Sequence, residues 1–364
     1  MKELLRNRIK EMTALIGVSG QEWNVARYIK KALTGYVDSI EVRPNGILIA
    51  RKKGNKSGPK VLITAHMDEV GYIVKSISPK GFLFFDKVGG ATEGCLPGRR
   101  VWVKGEKGAI PGIIGVRAGH LLTAEQMAKP QTVGQSYVDI CVDSKEEAQA
   151  LGIGPGAQIV PDSPCTEMLN SDYMVTRAAD CRVLCAVIIE TIKKLAADDI
   201  NGEIYAVFNI LEESTIAASA VAVNYLDPEY GLFLDTIPCG DVPDCDFLKE
   251  LPVALKEGPV ILIQQQWASG LRNAGSHPKL IEALRKAGKT TGVKHQEVSF
   301  CGAGYITDAV GAVIAGNGPA VATLACPRRY SHSPVELIHM YDVEALQKIV
   351  EEFLKNPVDL NMMD

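Results

Sequence analysis

Val61-Leu62-Ile63-Thr64-Ala65-His66-Met67-Asp68 is an apolar, partly β-branched run that ends abruptly in an imidazole and a carboxylate. Such a run reads as a strand, with its polar residues placed where the strand stops. The same figure recurs along the chain. Residues 205–211 lead to Glu212-Glu213, residues 231–234 lead to Asp235, and residues 320–324 continue through Cys326-Pro327-Arg328-Arg329-Tyr330 to His332. Asp180 opens a long predicted helix that reaches about residue 197. In open α/β sheets, ligands collect beyond the carboxyl ends of the strands. Four strands and one helix start therefore deliver two histidines and several carboxylates to one sheet edge. The twenty-two residues from Glu213 to Asp235 fit one strand–helix–strand step. Parallel strands joined that way are expected to end side by side.

Outward from this core, two helices open the chain. The second is announced by Ser19-Gly20-Gln21-Glu22, a capping box, with Trp23, Ala26, Ile29 and Leu33 on one face. Strand signals follow at 39–42, 47–50 and 61–65. Between about 71 and 164, short β-type runs (72–77, 82–85, 100–103, 113–116, 136–141) alternate with turn clusters, interrupted by one short helix opened by Asp143-Ser144. This reads as a small β-rich module, residues 69–166, inserted into a larger discontinuous domain of residues 1–68 and 167–364. Beyond it the α/β alternation resumes, with helices at 215–225, 278–286 and 307–315, strands at 230–234, 260–264 and 320–324, and a closing helix opened by Asp342. That alternation predicts a three-layer αβα domain.

Composition sets the frame. The chain has 364 residues, 46% apolar and 23% charged, which suits two globular domains with a sizeable core. The 39 basic and 43 acidic residues give a net charge of −4 with no Lys/Arg-rich run, which argues against a nucleic-acid partner. The start lacks the apolar core of a signal peptide, and no uncharged apolar stretch reaches membrane-spanning length. A soluble, cytoplasmic protein is expected. The nine cysteines are odd in number, scattered, and never in a C-x-x-C pair, so neither a zinc finger nor a disulfide framework is suggested.

Two histidines and three carboxylates exceed what one tetrahedral zinc needs, but they suit a metal pair. One imidazole and one terminal carboxylate per ion, with Asp180 and a water shared, give each ion four donors. Such a pair activates the shared water, and a further carboxylate must move its proton. Glu212, beside a ligand, is the candidate base, and Asp68 can orient the His66 imidazole. Taken singly, a strand-end histidine is more often structural and adjacent glutamates are more often solvated. Convergence on one edge favours a hydrolytic metal site.

The motifs Ala65-His66-Met67-Asp68-Glu69-Val70-Gly71, Arg177-Ala178-Ala179-Asp180-Cys181-Arg182, Leu211-Glu212-Glu213, Asp235-Thr236 with Gly240-Asp241-Val242-Pro243, and Arg329-Tyr330-Ser331-His332-Ser333-Pro334-Val335-Glu336 resemble, in this order, those of the glutamyl and tetrahedral aminopeptidases. Some members of that family have carried a cellulase label. Gly115 with His120, and Thr307-Asp308-Ala309, resemble further landmarks. The resemblance implies zinc or cobalt ions, one on His66 and Asp235 and the other on Glu213 and His332, with Asp180 between and Glu212 as base. It also implies short peptide substrates, a PDZ-like dimerisation insert, and assembly into a hollow tetrahedral homododecamer. Departures are Cys181, where the family has an acid or Asn, and the segments Ser214-Thr215-Ile216-Ala217-Ala218 and Gly302-Ala303-Gly304-Tyr305-Ile306, which border the expected specificity pocket. Competing functions are a related two-metal amidohydrolase acting on N-acylated amino acids and a non-catalytic assembly protein of the same fold. A glycosidase has no carboxylate pair apart from the metal set.

Overall fold

The computed structural model describes residues 2–267 and 272–362. Helices α1 (Lys2–Ala14) and α2 (Trp23–Leu33) come first. α2 buries Ala26, Ile29 and Leu33 of the predicted face, with Val25 in place of Trp23, which stays half exposed. The expected capping box does not form. No side chain caps α2, and the buried Glu22 carboxylate instead accepts N–H bonds from Gly20 and Leu211.

Strands β1 (Ser39–Val42), β2 (Leu48–Lys53) and β3 (Lys56–His66) enter the main sheet. The chain then leaves it for β4 (Gly71–Ile77), β5 (Leu83–Val88), β6 (Arg100–Gly105), β7 (Gly108–Ile114), α3 (Ala124–Met127), β8 (Val138–Asp139), α4 (Lys145–Ala150) and β9 (Gln158–Pro161). These six strands close into a barrel in the order β4-β5-β8-β7-β6-β9. Alternate residues such as Val74, Leu83, Val101, Val103 and Ile159 fill it as a core of its own. Ser144 caps α4 as its sequence predicts, accepting the Glu147 N–H at 3.2 Å.

The return path runs through β10 (Thr166–Glu167), β11 (Tyr173–Thr176), α5 (Ala179–Lys194), β12 (Asn201–Asn209), α6 (Glu212–Thr215), α7 (Ala218–Leu226), β13 (Tyr230–Pro238), β14 (Val260–Trp267), β15 (Asn273–Gly275), α8 (Pro278–Thr291), β16 (Gln296–Ala303), α9 (Ala309–Ala312), β17 (Ala320–Arg328), β18 (Glu336–His339) and α10 (Met340–Lys355). The main sheet is ordered β1-β2-β12-β3-β13-β17-β14-β15, with β16 paired to β14. Its four central strands, β12, β3, β13 and β17, are mutually parallel. Helices α1, α2, α5, α8 and α10 pack together as one layer, and α7 with α9 packs separately on the sheet, giving the three-layer α/β arrangement.

Two expectations are corrected. β12 and β13 are not neighbours, because β3 lies between them and pairs with both. The crossover steps over a strand, and His66 consequently sits between the two acidic ends. Asp342 does not open α10; His339 caps it through Nδ1, which accepts the Tyr341 N–H. Asp342 is fully buried and takes the N–H groups of Lys256 and Gly258, both at 2.8 Å.

The turn after β3 is held by one side chain. Arg182 of α5 is fully buried and donates to the carbonyls of Met67, Met12, Leu15 and Gly17, with Glu69 3.4 Å away. Replacing Arg182 by Met would remove the donor to the buried Met67 carbonyl, weaken the bonding of the Met12, Leu15 and Gly17 carbonyls, which keep one other donor each, and leave the Glu69 charge partly uncompensated. A loss of roughly 3 kcal/mol or more of stability is expected, measured as a lowered urea midpoint, whereas an unchanged midpoint would contradict this assignment.

Candidate metal centre

Each proposed site residue is placed by a local backbone decision. β3 ends in His66, level with Asn209 at the end of β12. Leu211 then adopts a left-handed conformation (φ 59°), which starts α6 and raises Glu212 and Glu213. Ala178 (φ 53°) does the same before Asp180, whose own backbone is extended (φ −78°, ψ 111°). Tyr330 (φ 62°) and His332 (φ 55°) bend the loop after β17. A left-handed non-glycine residue costs roughly 1–2 kcal/mol, and such residues concentrate where surrounding structure fixes a functional turn. Asp235 differs from its expectation. It lies inside β13, opposite Ala325 of β17, rather than past the strand end.

These turns bring all the predicted ligands together. His66 Nε2 lies 3.1 Å from Asp180 Oδ1, 3.8 Å from Asp235 Oδ1 and 3.9 Å from Glu212 Oε2. On the other side, His332 Nε2 lies 3.4 Å from Asp180 Oδ2 and 3.3 Å from Glu213 Oε2. The two Asp180 oxygens are therefore divided between the two imidazoles. Asp68, fully buried, accepts the N–H groups of Glu212 (3.1 Å) and Glu213 (3.0 Å), and its Oδ1 stands 3.3 Å from His66 Nδ1.

The electrostatics follow from burial. It pushes the Glu212 carboxyl well above its ordinary pKa, with Asp235, Glu213 and Asp308 adding to the shift and His66 opposing it. Glu213 is pushed up to about 8, again first by burial, and Asp235 to about 6. Burial also opposes the charged form of Asp180, but Arg328 and the two imidazoles outweigh it and hold that carboxyl well below the usual range. His332, although desolvation disfavours its cation, is raised to about 9 by Glu213 and Asp180. A pocket with this surplus of negative charge binds positive charge, as protons or as metal ions.

Three residue sets have donor atoms close enough to share an ion: His66, Asp180, Cys181 and Asp235; His66, Glu212 and Glu213; and Asp180, Glu213 and His332. Glu213 Oε1 is buried without a hydrogen-bond partner. The donors are nitrogen and oxygen with one sulfur, which fits a divalent transition metal. Beside them opens a cavity of about 600 Å³, walled by Ile216, Trp267, Phe300, Tyr305 and Ile306 and floored by the carboxylates. The 214–218 and 302–306 segments, which depart from the family pattern, contribute to that wall.

Several contributors escaped the sequence reading. Arg328, buried at the end of β17, donates to Asp180 Oδ2 at 2.9 Å and to Glu336. Glu336 accepts the backbone N–H of Asp180 (3.1 Å) and of His332 (3.0 Å), so one carboxylate registers two ligand loops. The Arg328-Arg329 pair at the end of an apolar strand was a usable signal, although its charge suggests solvent rather than a buried role. The barrel also reaches the site. A Cβ on Gly90 would fall 2.5 Å from His332 Nδ1, and Thr92 N–H donates to the His332 carbonyl at 3.1 Å. Asp308 accepts from Asn209 at 2.9 Å behind the site. His277 and His339 cap helices, and His295 stands 3.4 Å from Glu297.

Residues 46–349 match the model of the M42 glutamyl aminopeptidases. A lysyl aminopeptidase of Pyrococcus furiosus is 30% identical, over 98% of this chain and 97% of its own. The aminopeptidase APDkam598 of the archaeon Desulfurococcus kamchatkensis superposes with a TM-score of 0.90 at 26% identity, covering 98% of this chain and 96% of that one. The Pyrococcus horikoshii TET1 peptidase, which can assemble into a tetrahedron or a large octahedral shell, gives 0.84 at 29% identity, covering 96% and 99%. A family match over residues 46–349, with relatives of the same fold, places the protein in the M42 glutamyl aminopeptidase family, as a peptidase.

Proposed function

We propose that the chain is a two-metal aminopeptidase in which His66 and Asp235 hold one divalent ion, Glu213 and His332 hold the other, and Asp180 is shared. The observation that carries this reading is the division of the Asp180 carboxylate, Oδ1 toward His66 and Oδ2 toward His332. Zinc and cobalt suit the imidazole and carboxylate donors. Such a pair, when bound, makes a shared water acidic near neutral pH. Glu212 accepts the proton of the attacking water and delivers it to the leaving amine. Burial disfavours its charged form and so strengthens it as a proton acceptor. Asp68 is a positioning residue, acting through the amides of Glu212 and Glu213 and through the His66 ring.

Glu212→Gln should retain both metals by elemental analysis while kcat falls by ~10² or more. Glu213→Gln should instead lose the second ion on dialysis. Near-normal turnover in a fully loaded Glu212→Gln enzyme would assign the base elsewhere.

The cavity has room for one or two residues, and its carboxylate floor suits a terminal ammonium, so the substrates are the N-termini of short peptides. The alternative, a deacylase of N-acylated amino acids, requires tolerance of a blocked amine. Free peptides should shorten stepwise in mass spectra while their N-acetylated counterparts persist. Internal cuts, or prompt cleavage of acetylated peptides, would remove the exopeptidase reading.

Self-association through the inserted module, residues 69–166, into a tetrahedral homododecamer is supported by the likeness to the Pyrococcus horikoshii shell and by Val116, Leu121 and Met127, which stand 60% or more exposed near the barrel. The nine cysteines are all unpaired, which fits the reducing cytoplasm. Among the described residues no helix is long and apolar enough to cross a membrane. Light scattering should give the mass of a dodecamer; an active monomer at micromolar concentration would exclude the shell.

A further inference from the structure

We propose that Cys181 is itself a metal ligand, its thiolate completing a four-donor set with His66, Asp180 and Asp235. The inference rests on the two-metal reading above and adds a donor to one of its two sites.

The thiol is placed for this by the start of α5. Asp180 and Cys181 both depart from helical dihedrals (Cys181 φ −112°, ψ 25°), so consecutive side chains join one donor group rather than diverging around a helix. The Cys181 sulfur and the donor atoms of His66, Asp180 and Asp235 all lie within 4.8 Å of one another. All four residues are buried, and Cys181 is fully inaccessible to solvent. Its hydrogen-bond partner is the Leu234 carbonyl at 3.5 Å, one residue from the proposed Asp235 ligand.

Cys185, one turn further along α5, supplies the internal contrast. It is equally buried, but its thiol donates at 3.1 Å to the His66 carbonyl and belongs to none of the donor sets. Each thiol bonds a backbone oxygen of a neighbouring strand, and what separates them is the donor cluster around Cys181. Cys181 points its sulfur into a cluster of ligand atoms.

Ligation is a proton exchange. The thiol loses its proton to solvent as the metal–sulfur bond forms, with no change of oxidation state. With the shared water retained, the thiolate would give this ion one donor more than its partner. The pair would then be unequal, with the Cys181 side bound firmly and the Glu213–His332 side, where Arg328 also holds Asp180, left open and more exchangeable. A soft sulfur donor would further favour zinc or cobalt over manganese or magnesium at the first side.

Cobalt reports the bond directly. The intact oligomer, stripped of metal and reloaded with Co²⁺ to two ions per chain by elemental analysis, should show an intense near-ultraviolet thiolate-to-cobalt charge-transfer band. Cys181→Ser should abolish the band and Cys185→Ser should retain it. Zinc loading near pH 7 should release about one more proton per chain from the wild type than from Cys181→Ser. A wild-type protein carrying two cobalt ions without the band overturns Cys181 ligation alone, as does a band undiminished in Cys181→Ser. Failure to take up two ions overturns the two-metal reading and this inference with it.

Discussion

The arrangement turns on one constraint: Asp68, Asp180, Glu212, Glu213 and Asp235 are buried together at one edge of a sheet. Carboxylates this close cannot all stay ionised without counter-charge, because each pays desolvation and repels the others. The fold answers in two ways. Asp68 and Glu336 are satisfied by backbone N–H groups, which supply partial positive charge at fixed positions. Asp180 is satisfied by Arg328, a guanidinium with 1% of its surface exposed. Glu213 has no equivalent: its Oε1 is buried without a partner, and its carboxyl, like that of Glu212, is driven toward protonation. Glu213, left uncompensated by the protein, is a donor that a divalent cation would serve.

That division sorts the scaffold from the chemistry. Asp68, Glu336, Arg182 and Glu69 tie loops together and face one another or the backbone. Glu69 meets Arg177 and stands 3.4 Å from Arg182 behind the His66 turn, while Asp68 accepts the amides at the start of α6. These contacts hold four non-glycine residues, Ala178, Leu211, Tyr330 and His332, in left-handed conformations beside the site. A backbone that would relax elsewhere is kept in place because several buried polar bonds depend on the same geometry.

The sheet-edge residues His66, Glu212 and Glu213 were legible because an apolar strand that stops at an acid or an imidazole is a pattern of sequence alone; Asp235 was singled out by the same pattern although β13 continues past it. The αβα alternation was legible for the same reason. The order of the sheet was not, since nothing local says that β3 inserts between β12 and β13. Nor were Glu22 and Asp342 read correctly as helix openers. Each resembles a cap in sequence but is taken by backbone donors distant in the chain, Leu211 in one case and Lys256 and Gly258 in the other. Arg328 was invisible because a charged residue at a strand end is ordinarily solvated, and only tertiary structure shows its carboxylate partners. Short elements such as β8 and β15, two and three residues long, carry too little periodicity to detect.

The barrel cannot be regarded as a separate appendage to the site. It supplies none of the proposed donors, yet a side chain at Gly90 would collide with His332, and a Cβ at Gly89 would stand a tight 3.3 Å from Glu213. Gly89 also has a left-handed backbone (φ 72°), so both the conformation and the space call for glycine. Thr92 fixes the His332 loop from the same side. Any displacement of the barrel relative to the sheet therefore moves the half of the site formed by Glu213 and His332, while His66 and Asp235, mounted on the central strands, stay in place. A surface that joins subunits through the barrel would thus bear first on the His332 side, which is also where Arg328 already holds one Asp180 oxygen. Were subunits to join through the barrel, assembly and the geometry of the site would meet at the His332 loop.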